Sequence, residues 1–253
     1  MELITSRKNQ YIRYFRRLGR ERDFRRERGE FLGDGEKLFE EALKNGAEIG
    51  AVLLRQGREA PALPGVPVLA ASDDVFDYAS PLVNSPGPLF TVLLRPAREE
   101  RAPNRVIVLE NVQDPGNVGT VLRSAAALGC GMVVLTGECA DPYNPKTVRA
   151  SMGAIFRQRL LELPLTALPE RLSEWKLPLY GAALSERAAD VRDTALTHAA
   201  VAVGNEGSGL TRELLNLCDR EIIIPMSPGS ESFNAAVAAS ILLWEMARCE
   251  GER

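Results

Sequence analysis

From Val106 onward the chain alternates short apolar runs with longer segments of mixed character, and this constrains the fold more than any other feature. Strands are expected at residues 106–110, 132–136, 159–163, 179–184, 200–204 and 221–225. Most of these runs are nearly continuous in apolar residues, the pattern of parallel strands covered on both faces. Helices are expected near 118–128, 146–152, 168–174, 211–217 and 233–249. Parallel neighbours cannot be joined by a tight hairpin, so strand–helix alternation implies a parallel α/β sheet with crossover helices.

The residues before this unit read as a smaller α/β unit. A helix at 9–19 leads through RERDFRRERG to a short strand at 30–32, then a helix at 36–44 that stops at Asn45-Gly46, a helix-terminating pair. Strands at 51–54 and 66–69, a helix near 72–78 and a strand at 89–94 follow. The stretch PAREERAPN has charge and proline but no apolar period, so it is expected to be a linker. The domains expected are therefore 1–95, a linker at 96–104, and 105–253.

Composition narrows the chemistry. The chain has 253 residues, 45% of them hydrophobic and 26% charged, as in an ordinary globular protein. No apolar run reaches the length of a membrane span, and MELITSRKNQ does not resemble a secretion signal. The single histidine, His198, cannot build HExxH or a histidine-rich metal site, so no metal is expected. Cys130, Cys139, Cys218 and Cys249 form no C-x-x-C, and read as small reduced hydrophobes in a cytoplasmic protein. The net charge of −3 conceals an asymmetry. The first thirty residues hold ten Arg or Lys against five acids, a net of +5, which leaves −8 for the remainder. A basic segment on an acidic body suits a protein that grips a polyanion. Tyr11, Tyr14 and Phe15 interleave with its arginines and could stack on unpaired bases. The plainer reading is an amphipathic helix whose Ile12, Phe15 and Leu18 pack inward.

In open α/β sheets ligands sit beyond the carboxyl ends of the strands, and three turns expected there are rich in glycine. The first, 111–119, reads NVQDPGNVG and enters a helix containing Arg123. Pro115-Gly116 is expected to make the turn and Asn117 to cap the helix, leaving free N–H groups toward a ligand. Arg123 lies two helical turns beyond Gly116, on the same face. The second turn, 204–210, is GNEGSGL, with Glu206 between glycines as an acceptor for ribose hydroxyls or a partner for a cation; the plain alternative is a flexible loop. The third, 225–234, is PMSPGSESFN and leads into a helix whose Ala235, Ala236, Ala238 and Ala239 allow close approach of another helix, with Trp244 as an apolar anchor. There is no P-loop, and Gly33-Asp34-Gly35 begins a dinucleotide fingerprint that Leu38 breaks.

Taken in order, ENVQDPGNVGTVLRSAAALG (110–129), VAVGNEGSGL (201–210) and IPMSPGSESFNAAVAASILLWE (224–245) resemble the three motifs of the SpoU/TrmH family of RNA ribose 2′-O-methyltransferases, in the SPOUT superfamily. DPYNPKTVRASMGAIF (141–156) resembles the family pattern between the first two. SRKNQYIRYF, FLGDGEKLFEEAL and NSPGPLFTVLL resemble its L30e-like substrate-binding domain, although FLGDG departs from the family's usual Val-Glu there. The resemblance implies a C-terminal α/β knot, a deep trefoil with a parallel sheet, which binds S-adenosyl-L-methionine (AdoMet) and dimerises through helices of that domain. It also implies an L30e-like α/β domain that binds RNA. By position, Gly204, Ile224, Met226 and Phe233 fall among the family's cofactor contacts, with Phe233 where leucine is usual. Asn117, Arg123, Glu206, Ser232 and Asn234 fall among its active-site residues. Arg13, Arg16, Arg17 and Arg149 are the candidate RNA contacts. The implied activity is methylation of a ribose 2′-hydroxyl, with 23S ribosomal RNA expected ahead of tRNA because a separate RNA-binding domain is present. A non-catalytic RNA-binding protein on the same scaffold is the alternative of another class.

Overall fold

The computed structural model describes residues 3–59, 61, 63–94, 101–227, 229 and 232–248. The chain divides into two units: one takes Met1–Arg98 together with Asp141–Phe156, the other Glu99–Ala140 and Arg157–Arg253.

The first unit contains β1 (Leu3–Ile4), α1 (Gln10–Arg20), α2 (Arg22–Arg28), β2 (Glu30–Asp34), α3 (Glu36–Lys44), β3 (Ile49–Arg55), β4 (Val68–Ala71), α4 (Asp73–Ala79) and β5 (Leu89–Leu93). Its mixed sheet has the order β1-β4-β3-β5-β2. Asn9 caps α1 by accepting from the Tyr11 N–H at 2.9 Å, and Ile12, Phe15 and Leu18 turn into the core with no exposed surface. Fully burying a side chain of this size contributes about 1.5–3 kcal/mol. Phe15 is therefore core, and Tyr14 donates its hydroxyl to Glu30 Oε2 at 2.5 Å, so neither is a stacking platform. The RERDFRRERG connection holds a second helix, α2, which Gly29 ends in the left-handed conformation at φ 61°. Its inward face is Phe24 and Arg25, and a buried arginine hides the apolar period that would have revealed the helix.

Arg25 is satisfied where it lies. It donates to Leu18 O at 2.7 Å and, from Nε, to Asp141 Oδ2 at 3.0 Å, and its Nη2 pairs with the same carboxylate. This contact brings in the segment 141–156, which the sequence places in the second domain as a crossover helix. The structure corrects that expectation: α6 (Pro145–Ala150) belongs to the first unit. Tyr143, Val148, Ile155 and Phe156 complete an apolar cluster with Phe31, Phe39 and Phe90, and the Phe31 ring lies 5.1 Å from Tyr143 and 6.1 Å from Phe156. Aromatic side chains bury large surfaces, which accounts for the segment's place in this unit. Of the expected linker, residues 96–100 lie outside the described residues, as does Cys249.

The second unit contains β6 (Arg105–Glu110), α5 (Pro115–Ala127), β7 (Met132–Thr136), β8 (Leu160–Glu162), α7 (Leu168–Trp175), β9 (Leu179–Ala182), β10 (Ala189–Asp190), β11 (Ala199–Val203), α8 (Arg212–Leu217), β12 (Arg220–Ile223) and α9 (Ala235–Arg248). All seven strands pair in parallel, in the order β10-β12-β9-β11-β6-β7-β8. Val106 and Val108 face a core shared with Leu168 and Leu172 of α7 and Leu214 of α8. The helices α5 and α9 pack on each other, and α9 lies against β6 and β11. Among the described strands of this unit, β10, a two-residue edge strand, is the one with no signal in the sequence. Strand order turns back at β6, so the carboxyl ends of β6 and β11 form the crevice where such sheets hold ligands.

Candidate active site

The first glycine-bearing turn leaves β6 at Glu110, which is 2% exposed. A buried carboxylate needs partners. Glu110 accepts from the Thr211 N–H at 2.8 Å and hydroxyl at 2.7 Å, and so fixes the start of α8 behind the second turn. The next residue, Asn111, is left-handed at φ 56°; its Oδ1 accepts from the Glu138 N–H at 2.7 Å and its O from Asn205 Nδ2 at 3.0 Å. Helix α5 begins one turn earlier than expected, with Pro115 in its first turn and Asp114 as the cap accepting from the Asn117 N–H at 2.9 Å. Pro115 sets φ for a helix start and lacks the N–H that would go unsatisfied there. Asn117 is therefore inside the helix, and its side chain is free of capping duty.

The second turn is a closed loop. Asn205 N donates to Gly209 O at 3.2 Å, Gly209 N returns to Asn205 O at 2.9 Å, and Asn205 Oδ1 accepts from the Gly207 N–H at 2.8 Å. A Cβ on Gly204 would sit 2.2 Å from the Gly209 carbonyl carbon, so only glycine fits where β11 meets the returning backbone.

Glu206 projects from this loop and accepts from Asn117 Nδ2. Asn117 Oδ1 in turn accepts from Asn234 Nδ2 at 3.2 Å, and Asn234 Oδ1 accepts from the N–H groups of Ala236 at 2.9 Å and Val237 at 3.3 Å. One relay thus joins all three motifs, with Asn234 capping α9. The Ser124 and Ser240 hydroxyls, 2.8 Å apart, fix α5 against α9 farther along. Arg123 is exposed and has no hydrogen bond or ion pair among the described residues.

Beside the relay lies a cavity of about 670 Å³. Gly204, Glu206, Ile224, Met226, Ser232 and Phe233 all line it, so every expected cofactor contact reaches one space. Asn117, Arg123 and Asn234 do not line it, and the two asparagines connect to it through Glu206. Two contributions escaped the sequence. Residues 183–185 form part of the wall, because β9 ends at Ala182 and not at 184 as its apolar run suggests. Glu110 and Asn205 hold the turns together, and nothing short of the fold brings Glu110 to Thr211. Burial pushes the Cys130, Cys139 and Cys218 thiols up, Cys218 to about 12, which leaves them inert, and none of the three lines the cavity.

The candidate RNA contacts are all in the first unit. Arg13, Arg17 and Arg149 are exposed, while Arg16 stacks 3.9 Å over the Tyr78 ring and donates to Tyr78 O at 2.6 Å. Arg17 also pairs with Glu21 at 2.9 Å. Among the described residues, no helix is long and apolar enough to cross a membrane, and no group of histidine, cysteine or acidic side chains could hold a metal ion.

The chain belongs to the SpoU rRNA Methylase family, whose model matches residues 104–244, and an MRM3-like substrate binding domain matches residues 9–88. Among its relatives, the 23S rRNA (guanosine(2553)-2′-O)-methyltransferase RlmP of Bacillus subtilis is 32% identical, over 97% of this chain and 99% of that protein. The 23S rRNA (uridine(2479)-2′-O)-methyltransferase of Streptomyces viridochromogenes is 29% identical over 97% of this chain and 91% of that one. The crystal structure of the SpoU methyltransferase AviRb from Streptomyces viridochromogenes in complex with AdoMet superposes with a TM-score of 0.85 at 27% identity, covering 97% of this chain and 99% of that one.

Proposed function

We propose that this protein is an AdoMet-dependent methyltransferase that modifies a ribose 2′-hydroxyl in 23S ribosomal RNA. The observation that carries the reading is the meeting of three separate motifs at one cavity through the Glu206–Asn117–Asn234 relay. The cavity suits the cofactor. Its volume is within the range of small-molecule sites, about 300–1,000 Å³. Ile224, Met226 and Phe233 offer apolar surface to an adenine or a methionine chain, the glycine turn offers backbone, and Glu206 is a carboxylate toward a cationic centre.

Bound AdoMet supplies an electrophilic methyl group, so the protein has to align the hydroxyl with it and remove one proton. Alignment alone is worth about 7–11 kcal/mol. Asn117 and Asn234 hold each other through one amide contact and keep Glu206 directed at the ribose position. Arg123, a guanidinium that stays protonated, grips phosphate and stabilises the oxygen as negative charge develops on it. Ser232 contributes a hydroxyl at the cavity rim.

The first unit holds the RNA through Arg13, Arg16, Arg17 and Arg149, and the second performs the transfer. Val237 and Trp244, 46% and 57% exposed on α9, form an apolar stripe that fits a homodimer interface. The C-terminal segment threads a trefoil knot, and the enzyme works in the cytoplasm where ribosomal RNA is assembled. Saturation with AdoMet at a hundred times Kd should stabilise the protein by about 2.7 kcal/mol, read as a thermal shift. RNA from a strain lacking the protein should lack one 2′-O-methyl group in 23S rRNA. An unchanged melting temperature at millimolar AdoMet would favour a non-catalytic RNA-binding module, and a missing methyl group in tRNA would move the substrate there.

A further inference from the structure

We propose that Asn205 is a positioning residue for methyl transfer, whose amide holds the second turn in register with the first so that Glu206 meets Asn117; this rests on the methyltransferase reading above. Asn205 is half-buried and lines the cavity, yet both ends of its amide bond the protein itself. Its neighbour Glu206 is exposed and makes the contact that joins the two turns. What needs a physical cause is how a glycine loop keeps that carboxylate in place.

Both ends of the second turn are tied to one dipeptide, Glu110-Asn111. At the far end Thr211 gives its N–H and its hydroxyl to the Glu110 carboxylate, and at the near end Asn205 Nδ2 donates to Asn111 O at 3.0 Å. Asn111 is held from its other sides as well. Its N–H donates to Thr136 O at 3.2 Å and its Oδ1 accepts from the Glu138 N–H at 2.7 Å. A Cβ on Gly137 would lie 2.2 Å from that oxygen, so the side chain packs directly on the β7 exit. Between the two ties, residues 206–209 are exposed, and Gly207 and Gly209 have no side chains with which to pack.

The two ends of the amide do separable work. Asn205 Oδ1 accepts from the N–H groups of Gly207 at 2.8 Å and Ser208 at 3.4 Å, an Asx turn that gives the loop its shape together with the Asn205–Gly209 backbone pair. Nδ2 sets where the shaped loop sits against the first turn. Turning the amide over would place an oxygen against Asn111 O and a donor against two N–H groups, so the partners fix its orientation. Among the described residues, none of 111–119 lines the cavity. A slip between the turns therefore disturbs the Glu206–Asn117 contact and leaves the cavity wall in place. Misplacing a positioning group by about 1 Å costs about a hundredfold in rate.

The test uses the full chain, AdoMet and an in vitro transcript of 23S rRNA, and measures kcat, KM for AdoMet and the AdoMet thermal shift. Asn205→Asp and Asn205→Ser each keep an oxygen for the Gly207 N–H and lose the donor to Asn111 O, one with a charge and one without. Both should lower kcat by about ten- to a hundredfold, with KM for AdoMet and the thermal shift within about twofold of wild type. Placed on Glu206→Gln, Asn205→Ser should cost less than about twofold more, because it acts through the carboxylate already removed. Full additivity in that cycle, or a fall in AdoMet binding equal to the fall in kcat, overturns the positioning role. So does an unchanged kcat in both variants of an active wild type, which leaves the methyltransferase reading intact. Variants that melt below the assay temperature would assign the amide to fold stability and overturn the proposal too. A wild type that transfers no methyl group to the transcript overturns the proposed function, and the role of Asn205 with it.

Discussion

Asp34 shows how a residue can be conspicuous in a sequence for the wrong reason. In Gly33-Asp34-Gly35 it suggests a broken nucleotide fingerprint, yet it is the anchor of a loop more than forty residues away in sequence. Burial raises its pKa above 3.8, against the lowering influence of Ser85, Ser80, Arg149 and Arg55. The folded state then holds this proton more tightly than the unfolded chain does. Its stabilising contribution is therefore greatest below the ordinary aspartate range and declines as pH rises from 3.8 through the raised value. Asp34→Asn, which cannot ionise, should gain on wild type in urea unfolding as pH increases from about 4 toward neutrality. A constant difference across that range would contradict the burial effect. Asn117 carries the opposite lesson: its motif identity marked it as important, but not that Asp114 would take the capping role and free the amide for Glu206.

Among the elements, those with a clear apolar period were legible nearly to the residue. The helix expected at 36–44 is α3 (Glu36–Lys44), and the strand expected at 132–136 is β7 (Met132–Thr136). Helix α2 was hidden because charge occupies part of its buried face, with Arg25 turned toward Asp141. Removing one partner of such a pair leaves a buried charge, so Asp141→Ala should cost about 3–5 kcal/mol in urea unfolding, whereas a loss below about 1 kcal/mol would mean that solvent replaces the carboxylate. The glycine turns were visible as turns, but their closure depends on backbone proximity that no local pattern encodes. Gly204→Ala should abolish the AdoMet thermal shift, because its Cβ has no space against Gly209, and a retained shift would show that the loop can open.

At the scale of the whole molecule, the proposed function reads the charge asymmetry seen in composition as a division of labour between two units. Replacing Arg13 and Arg17 with glutamine should weaken RNA binding and flatten its dependence on salt by about one to two in log–log slope, with AdoMet binding unchanged. An unaltered slope would reduce these arginines to solvated surface. Arg16 is a poorer probe, since its contacts with Tyr78 give it a packing role. The sequence also led us to place one boundary between the units, whereas the backbone crosses between them three times, after Arg98, after Ala140 and after Phe156. For anyone exchanging target specificity among relatives, the transferable module is consequently two stretches of chain. A chimera cut once near residue 100 would join Arg25 from one parent to the 141–156 segment of the other, so any mismatch at the Arg25–Asp141 pair would register as misfolding instead of altered specificity.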